Sequence, residues 1–182
     1  MNCVGFFRLA LVAESFGLKT WSVVNVQVPW ELLGQSSVQV KVMVDGIPSN
    51  VVTVPLADYA PAFFGSGIVA AWNATANNTV SPGTPVKSGD VLELFANGLG
   101  PVSVPPASGF PAPADNTSTT KSQPVVTIGG KEAPVSFSGL APGYPGLYQI
   151  SVTVPPGLSS GNQQVRVAIG GQTSPAINLP VQ

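Results

Sequence analysis

Histidine is absent from this 182-residue chain, cysteine occurs once, and only 15 residues carry a formal charge (7 Lys+Arg, 8 Asp+Glu). Each absence excludes chemistry. Without histidine there is no Ser-His-Asp or Cys-His catalysis and no histidine-containing metal site. With Cys3 alone there is no intrachain disulfide and no cysteine cluster for zinc or iron–sulfur. Lacking an activating histidine, Cys3 reads as a free or buried thiol. The charged fraction is 8%, against about 25% for typical soluble domains. Seven scattered cations do not make the basic footprint that nucleic acid requires. No apolar run approaches the ~20 residues of a membrane span. The apolar start is interrupted by Arg8 and Glu14 with no small-x-small cleavage site after it, so a short docked strand or helix is expected there, with a helix conceivable over Phe6–Leu18.

What is present is period-two alternation. Val24, Val26 and Val28 alternate with Asn25 and Gln27, and Val38, Val40, Val42 and Val44 with Gln39, Lys41 and Met43. The pattern returns at Val52–Val54, Leu92–Leu94, Tyr148–Val154, Val165–Ile169 and Ile177–Val181. Each reads as a strand with one core face and one wet face. Asp45-Gly46, Gly129-Gly130 and Gly170-Gly171 lie between such strands, where Gly46, Gly130 and Gly171 supply positive φ for hairpin turns. No helix start follows these glycines, which argues against phosphate cradling. Glycine plus proline number 39 of 182, in keeping with many turns. Short strands, frequent turns and few helix signals predict an all-β, immunoglobulin-like two-sheet sandwich.

The chain also repeats itself. Asn25-Val-Gln-Val-Pro29 matches Ser151-Val-Thr-Val-Pro155, Asp45-Gly46 matches Gly170-Gly171, and Ser49–Val54 matches Ser174–Leu179. Val38–Val42 matches the strand around Val165-Arg-Val167. The division expected is an undetermined segment at 1–21, a partial repeat of three strands at 22–58, and a complete seven-strand unit at 59–182 whose junction is Tyr59–Phe64. Three Val-rich strands alone need a cover, from residues 1–20, from the second unit or from another molecule.

Four stretches carry a family likeness: Gly89–Pro101, Val126–Gly130, Gly139–Gly143 and Gly146-Leu-Tyr-Gln-Ile-Ser-Val-Thr-Val-Pro155. Here the chain resembles the Solibacter-type uncharacterised C-terminal domain of secreted acidobacterial proteins and, more distantly, the immunoglobulin-like IPT/TIG modules. The likeness covers about residues 22–182 and implies stalk, spacer or adhesive roles in extracellular proteins. It brings no enzyme activity and no cofactor.

The remaining candidates are few. Asp90 and Glu93 stand three apart on one predicted strand, so they point to opposite faces and do not converge as a glycosidase pair. No Asp-rich calcium run exists, so no metal site is expected. Tyr148 opens a strand where a tyrosine corner would place it, its hydroxyl bonding backbone upstream. Asn73, Asn77 and Asn116 head N-x-Ser/Thr triplets in loops. Residues 98–124 hold six prolines and little alternation. They are read as an extended segment covering a sheet edge or, as the alternative, a clasp on a neighbouring module with Phe110 as its anchor. Trp30, after Pro29, is the best aromatic for a contact among Trp21, Trp30 and Trp72. The expectation is a non-enzymatic extracellular structural or adhesive module whose partners are proteins, its own copies included. A self-assembling filament subunit completed by strand complementation, and a carbohydrate-binding module with a glycan partner, are the alternatives.

Overall fold

The structure is a computed structural model that describes residues 6–15, 18–32 and 34–182, with side chains from residue 26 onward. It is all-β and antiparallel. Trp30–Leu32 forms one 3-10 turn, the sole helical element among the described residues. In the second unit β7 (Ala62–Phe63), β8 (Ala71–Asn73), β9 (Asn78–Thr79), β10 (Val91–Asn97), β13 (Val135–Leu140) and β14 (Tyr148–Thr153) form a six-stranded sheet. Its order is β13-β14-β10-β8-β9, with β7 also on β10. A five-stranded sheet contains β11 (Val125–Ile128), β12 (Lys131–Ala133), β15 (Gly161–Ile169), β16 (Gln172–Thr173) and β17 (Ile177–Val181). Its order is β12-β11-β15-β16, with β17 on β15.

The alternation decides which side chains meet between the sheets. Leu92, Leu94 and Ala96 of β10 and Tyr148, Ile150 and Val152 of β14 are fully buried, as are Val126 and Ile128 of β11 and Val165 and Val167 of β15. All belong to one core. Burying side chains of this size contributes about 1.5–3 kcal/mol apiece. The sheets are also stitched along one side. Val69 and Val86 donate backbone hydrogen bonds to Asn178 and Pro180 of β17, while β8, between them in sequence, pairs with β10 of the other sheet.

The first unit contains β1 (Phe6–Ser15), β2 (Leu18–Gln27), β3 (Ser37–Val40), β4 (Met43–Val44), β5 (Ile47–Pro48) and β6 (Val52–Pro55). Of the strand or helix expected near the start, residues 6–15 take the strand: β1 is in register with β2, from Phe6↔Gln27 to Ser15↔Leu18, and the ladder runs across the expected boundary at residue 21. Apolar and β-branched residues favour the strand once a partner exists, and a helix of this length has little stability of its own. One expectation is corrected here, the single strand over Val38–Val44: β3 pairs β6, β4 pairs β5, and residues 41–42 lie between the two ladders.

The internal repeat is structural and not merely sequential. Adding 125 to each number turns Val40↔Val52 into Val165↔Ile177, Ser37↔Pro55 into Asn162↔Pro180, and Met43↔Pro48 into Ala168↔Thr173. The turns agree too: Asp45 and Gly46 have φ of 50° and 80°, Gly170 and Gly171 58° and 78°. Two consecutive positive φ values mark a type I′ turn, as at Gly129-Gly130 (57° and 78°). β3–β6 is therefore a copy of β15–β17, and the β1–β2 hairpin precedes it as β13–β14 precedes β15.

Candidate functional site

The second unit holds the connecting segment with a wedge and the first unit with a clasp. The wedge is Tyr59. Its ring lies against Gly100 and Gly170, where an added Cβ would come within 2.3 and 2.1 Å of ring carbons. Its hydroxyl shares a 2.7 Å hydrogen bond with Ser122 Oγ. The next residue, Ala60, donates its N–H to the Gly98 carbonyl at 2.9 Å. A linker held in this way is part of the fold. Glycine is required at 98, 100 and 170 because the backbone is left-handed there and no side chain fits.

The clasp lies where β2 leaves the first unit. The Trp30 N–H donates to Ser108 Oγ at 2.9 Å, and Ser108 Oγ–H donates to Glu31 Oε2 at 2.6 Å. Gly109 N–H donates to Gln27 Oε1 at 2.9 Å. The hydrogen bond from Ser108 holds the Glu31 carboxyl below its ordinary value. Half-buried Trp30 packs against the core of the second unit. Segment 98–124 thus does both things expected of it as alternatives. It grips the first unit, and it covers the β13 edge: Thr120 N–H donates to the Ser138 carbonyl, and Leu140 N–H to the Ser118 carbonyl. The anchor is Ser108-Gly109. Phe110 is 64% exposed, because the chain turns at Ala107–Phe110 and carries its ring outward.

Tyr148 is fully buried and donates its hydroxyl to the Gly100 carbonyl. The acceptor stands 48 residues upstream, so the bond ties β14 to the segment under Tyr59. It joins distant parts of the chain, unlike the short-range bond of a tyrosine corner. Gly46, Gly130 and Gly171 stand in open turns with nothing near their Cα hydrogens. Cys3 and the side chain of Trp21 lie outside the described residues. Trp72 is half-buried on β8.

The carboxylates are dispersed into structural tasks. Asp90 Oδ2 accepts from Asn73 Nδ2 and from the Lys87 N–H, both at 2.8 Å. Asp115 Oδ1 accepts from the Thr117 hydroxyl and N–H, which lowers its pKa. Among the described residues no three His, Cys, Asp or Glu side chains gather as a metal site. Asn73 is buried, so its triplet does not present an accessible amide, whereas Asn77 and Asn116 are exposed. A groove of about 340 Å³ between Ala62-Phe63, Gly67 and Pro175–Asn178 has no charged residue in its lining. No helix among the described residues is long and apolar enough to cross a membrane.

The opposite character appears on β3–β6. Val44, Ile47, Val51 and Val52 are exposed by 60, 73, 53 and 43%. The sequence already marked these Val-rich strands as needing a cover; how far each side chain stays exposed depends on what packs against the hairpin. Sequence reasoning missed Tyr59, Ser108 and Gly109 as contact residues, since a lone tyrosine and a Ser-Gly pair in a proline-rich stretch carry no periodic signal. Compared with protein-family models, curated proteins and solved structures, the chain matches none.

Proposed function

We propose that this chain is a non-enzymatic structural module of an extracellular protein, two tandem immunoglobulin-like units that act as a stiff spacer. One observation carries the reading. The junction is docked through Tyr59, Ala60 and the Ser108 clasp, so one unit passes its orientation to the next. Flexible interdomain linkers do not behave in this way. The low charge, the Ser/Thr/Asn/Gln-rich wet faces, the likeness of the 146–155 block to the Solibacter-type C-terminal domain and the more distant likeness of the unit to IPT/TIG modules support it.

Small-angle X-ray scattering tests stiffness. The chain should scatter as one rigid body, and Tyr59→Ala should broaden the distribution of dimensions while leaving the second unit folded. If the parent chain already samples many orientations between the units, the spacer reading fails.

A glycan-binding reading has its own observation. Phe110 and Tyr144, 64 and 59% exposed, stand on loops joined by the Ala112 N–H to Tyr144 carbonyl bond. Exposed aromatic faces are what sugar stacking needs. Trp30 does not serve it, being packed on the core. Binding on a glycan array that disappears in Phe110→Ala and Tyr144→Ala would favour this reading over the spacer.

A further inference from the structure

The six-stranded sheet of the second unit has two faces of different chemistry. Its inward residues, Leu92, Leu94 and Ala96 of β10 and Tyr148, Ile150 and Val152 of β14, are sealed in the core. Alternation turns Trp72, Glu93, Phe95, Gln149 and Ser151 the other way, and all five are half-buried, so each keeps surface in contact with solvent. The register sets them side by side. Trp72 pairs with Glu93, Glu93 with Ser151, and Ser151 with Phe137 of β13, in one row across four strands. In the next row Phe95 pairs with Gln149, and Gln149 with Gly139. An added Cβ at Gly139 would lie 2.8 Å from Phe137 Cζ, so the tip of that ring rests over the glycine. Neighbouring strands stand about 4.8 Å apart, which places the Trp72 and Phe137 positions about 14 Å apart along the row.

The polar groups of this face are open. Among the described residues neither the Glu93 carboxylate nor the Trp72 indole N–H has a hydrogen-bond or ion-pair partner, and neither is sealed from water. Gln149 Nε2 donates to Ser151 Oγ at 3.3 Å, which leaves the Gln149 side-chain carbonyl as an acceptor. The six strands contain no lysine or arginine, and Glu93 is their one charged residue. The other sheet differs, with Lys131, Glu132 and Arg166 on its strands.

These facts select the ligand. An apolar protein surface laid here would strand the Glu93 carboxylate away from water. An anionic partner would meet a carboxylate and no cation. What fits is an uncharged molecule with apolar C–H faces to lie on the aromatic rings and hydroxyls that both donate and accept. One hydroxyl donates to Glu93, and another accepts from the Trp72 indole N–H. We infer that the outer face of this sheet, centred on Trp72 and Glu93, is a binding site for a neutral oligosaccharide. The length of the row suits several linked sugars better than one. The site is a different surface from the Phe110 and Tyr144 loops, and the inference is independent of the spacer reading.

Affinity electrophoresis of the full chain through gels containing xyloglucan, glucomannan or laminarin, all neutral polysaccharides, tests this. Retardation by at least one is expected, with an apparent Kd below about 1 mM. Trp72→Ala should weaken it about tenfold or more. Glu93→Gln keeps the shape of a half-buried side chain, so loss of folding does not explain its effect, and should weaken it about threefold or more. Phe110→Ala and Tyr144→Ala should leave it unchanged, as should about 1 M NaCl, which screens charge attraction beyond about 3 Å. No retardation in any of the gels overturns the proposal. So does retardation that survives both Trp72→Ala and Glu93→Gln, or that Phe110→Ala abolishes. Binding of a fluorescein-labelled oligolysine peptide that Glu93→Gln and high salt both remove, with no retardation by polysaccharide, would make a basic protein segment the occupant and overturn it as well.

Discussion

At Gly98 an added Cβ would lie 1.9 Å from the Ala60 carbonyl oxygen, while at Gly130 it would meet nothing within 4 Å. Both residues have positive φ, 68° and 78°. The two costs therefore separate. Gly98→Ala combines backbone strain with a clash against main chain that is itself hydrogen-bonded, and should cost about 3 kcal/mol. Gly130→Asn suffers only the left-handed conformation, which asparagine tolerates, and should stay within about 1 kcal/mol. Urea denaturation of the two variants checks the contrast; equal losses would mean that the Tyr59–Phe64 junction does not press on the second unit. The need for glycine at 130 was visible in the sequence, since a Gly-Gly pair between alternating strands is a turn signal. The need at 98 was not, because it arises from a segment 38 residues away.

The duplicated hairpin allows one substitution to be made in two environments. Ser174 and Ser49 make the same pair of hydrogen bonds, but Ser174 is buried and Ser49 half-buried. Ser174→Ala strands the Val167 N–H away from water and should cost about 1–3 kcal/mol, whereas Ser49→Ala leaves its amide near solvent and should cost about 1 kcal/mol or less. Thermal unfolding measures both, and reversal of the order would contradict the assigned burial. The strands themselves were largely legible. Val91–Asn97, Val125–Ile128 and Tyr148–Thr153 fall where alternation put them, because one buried face imposes period two. The β1–β2 hairpin was less legible, because its pairing rests on a partner strand and not on local preference.

For the molecule as a whole, the coupling of the two units has a pH dependence with a definite sign. The hydrogen bond from Ser108 holds the Glu31 carboxyl below its ordinary 4.5. A group whose folded pKa is depressed contributes stability that is complete above the unfolded value and is lost as pH falls through the folded one. The clasp should therefore be intact above about pH 4.5 and loosen below it. The contribution to global stability is small, because Glu31 is exposed and solvent screens it. The Trp30 amide, which donates to Ser108, is the local reporter. Its NMR shift should titrate with a midpoint below 4.5, and Glu31→Gln should remove that titration. A midpoint at or above 4.5 would disprove the clasp in solution.

The sequence by itself determined the all-β architecture, the tight turns and the repetition of the hairpin, because alternation, glycine pairs and serine spacing act over a few residues and need no partner to be read. Only the tertiary structure decided which copy of the hairpin is sealed, that Tyr59 is wedged between Gly100 and Gly170, and that Ser108 rather than Phe110 grips the first unit. Those are contacts between segments far apart in the chain, set by how the sheets pack. No local pattern encodes them, because the same valines spell the same strand whether or not a second strand lies across it.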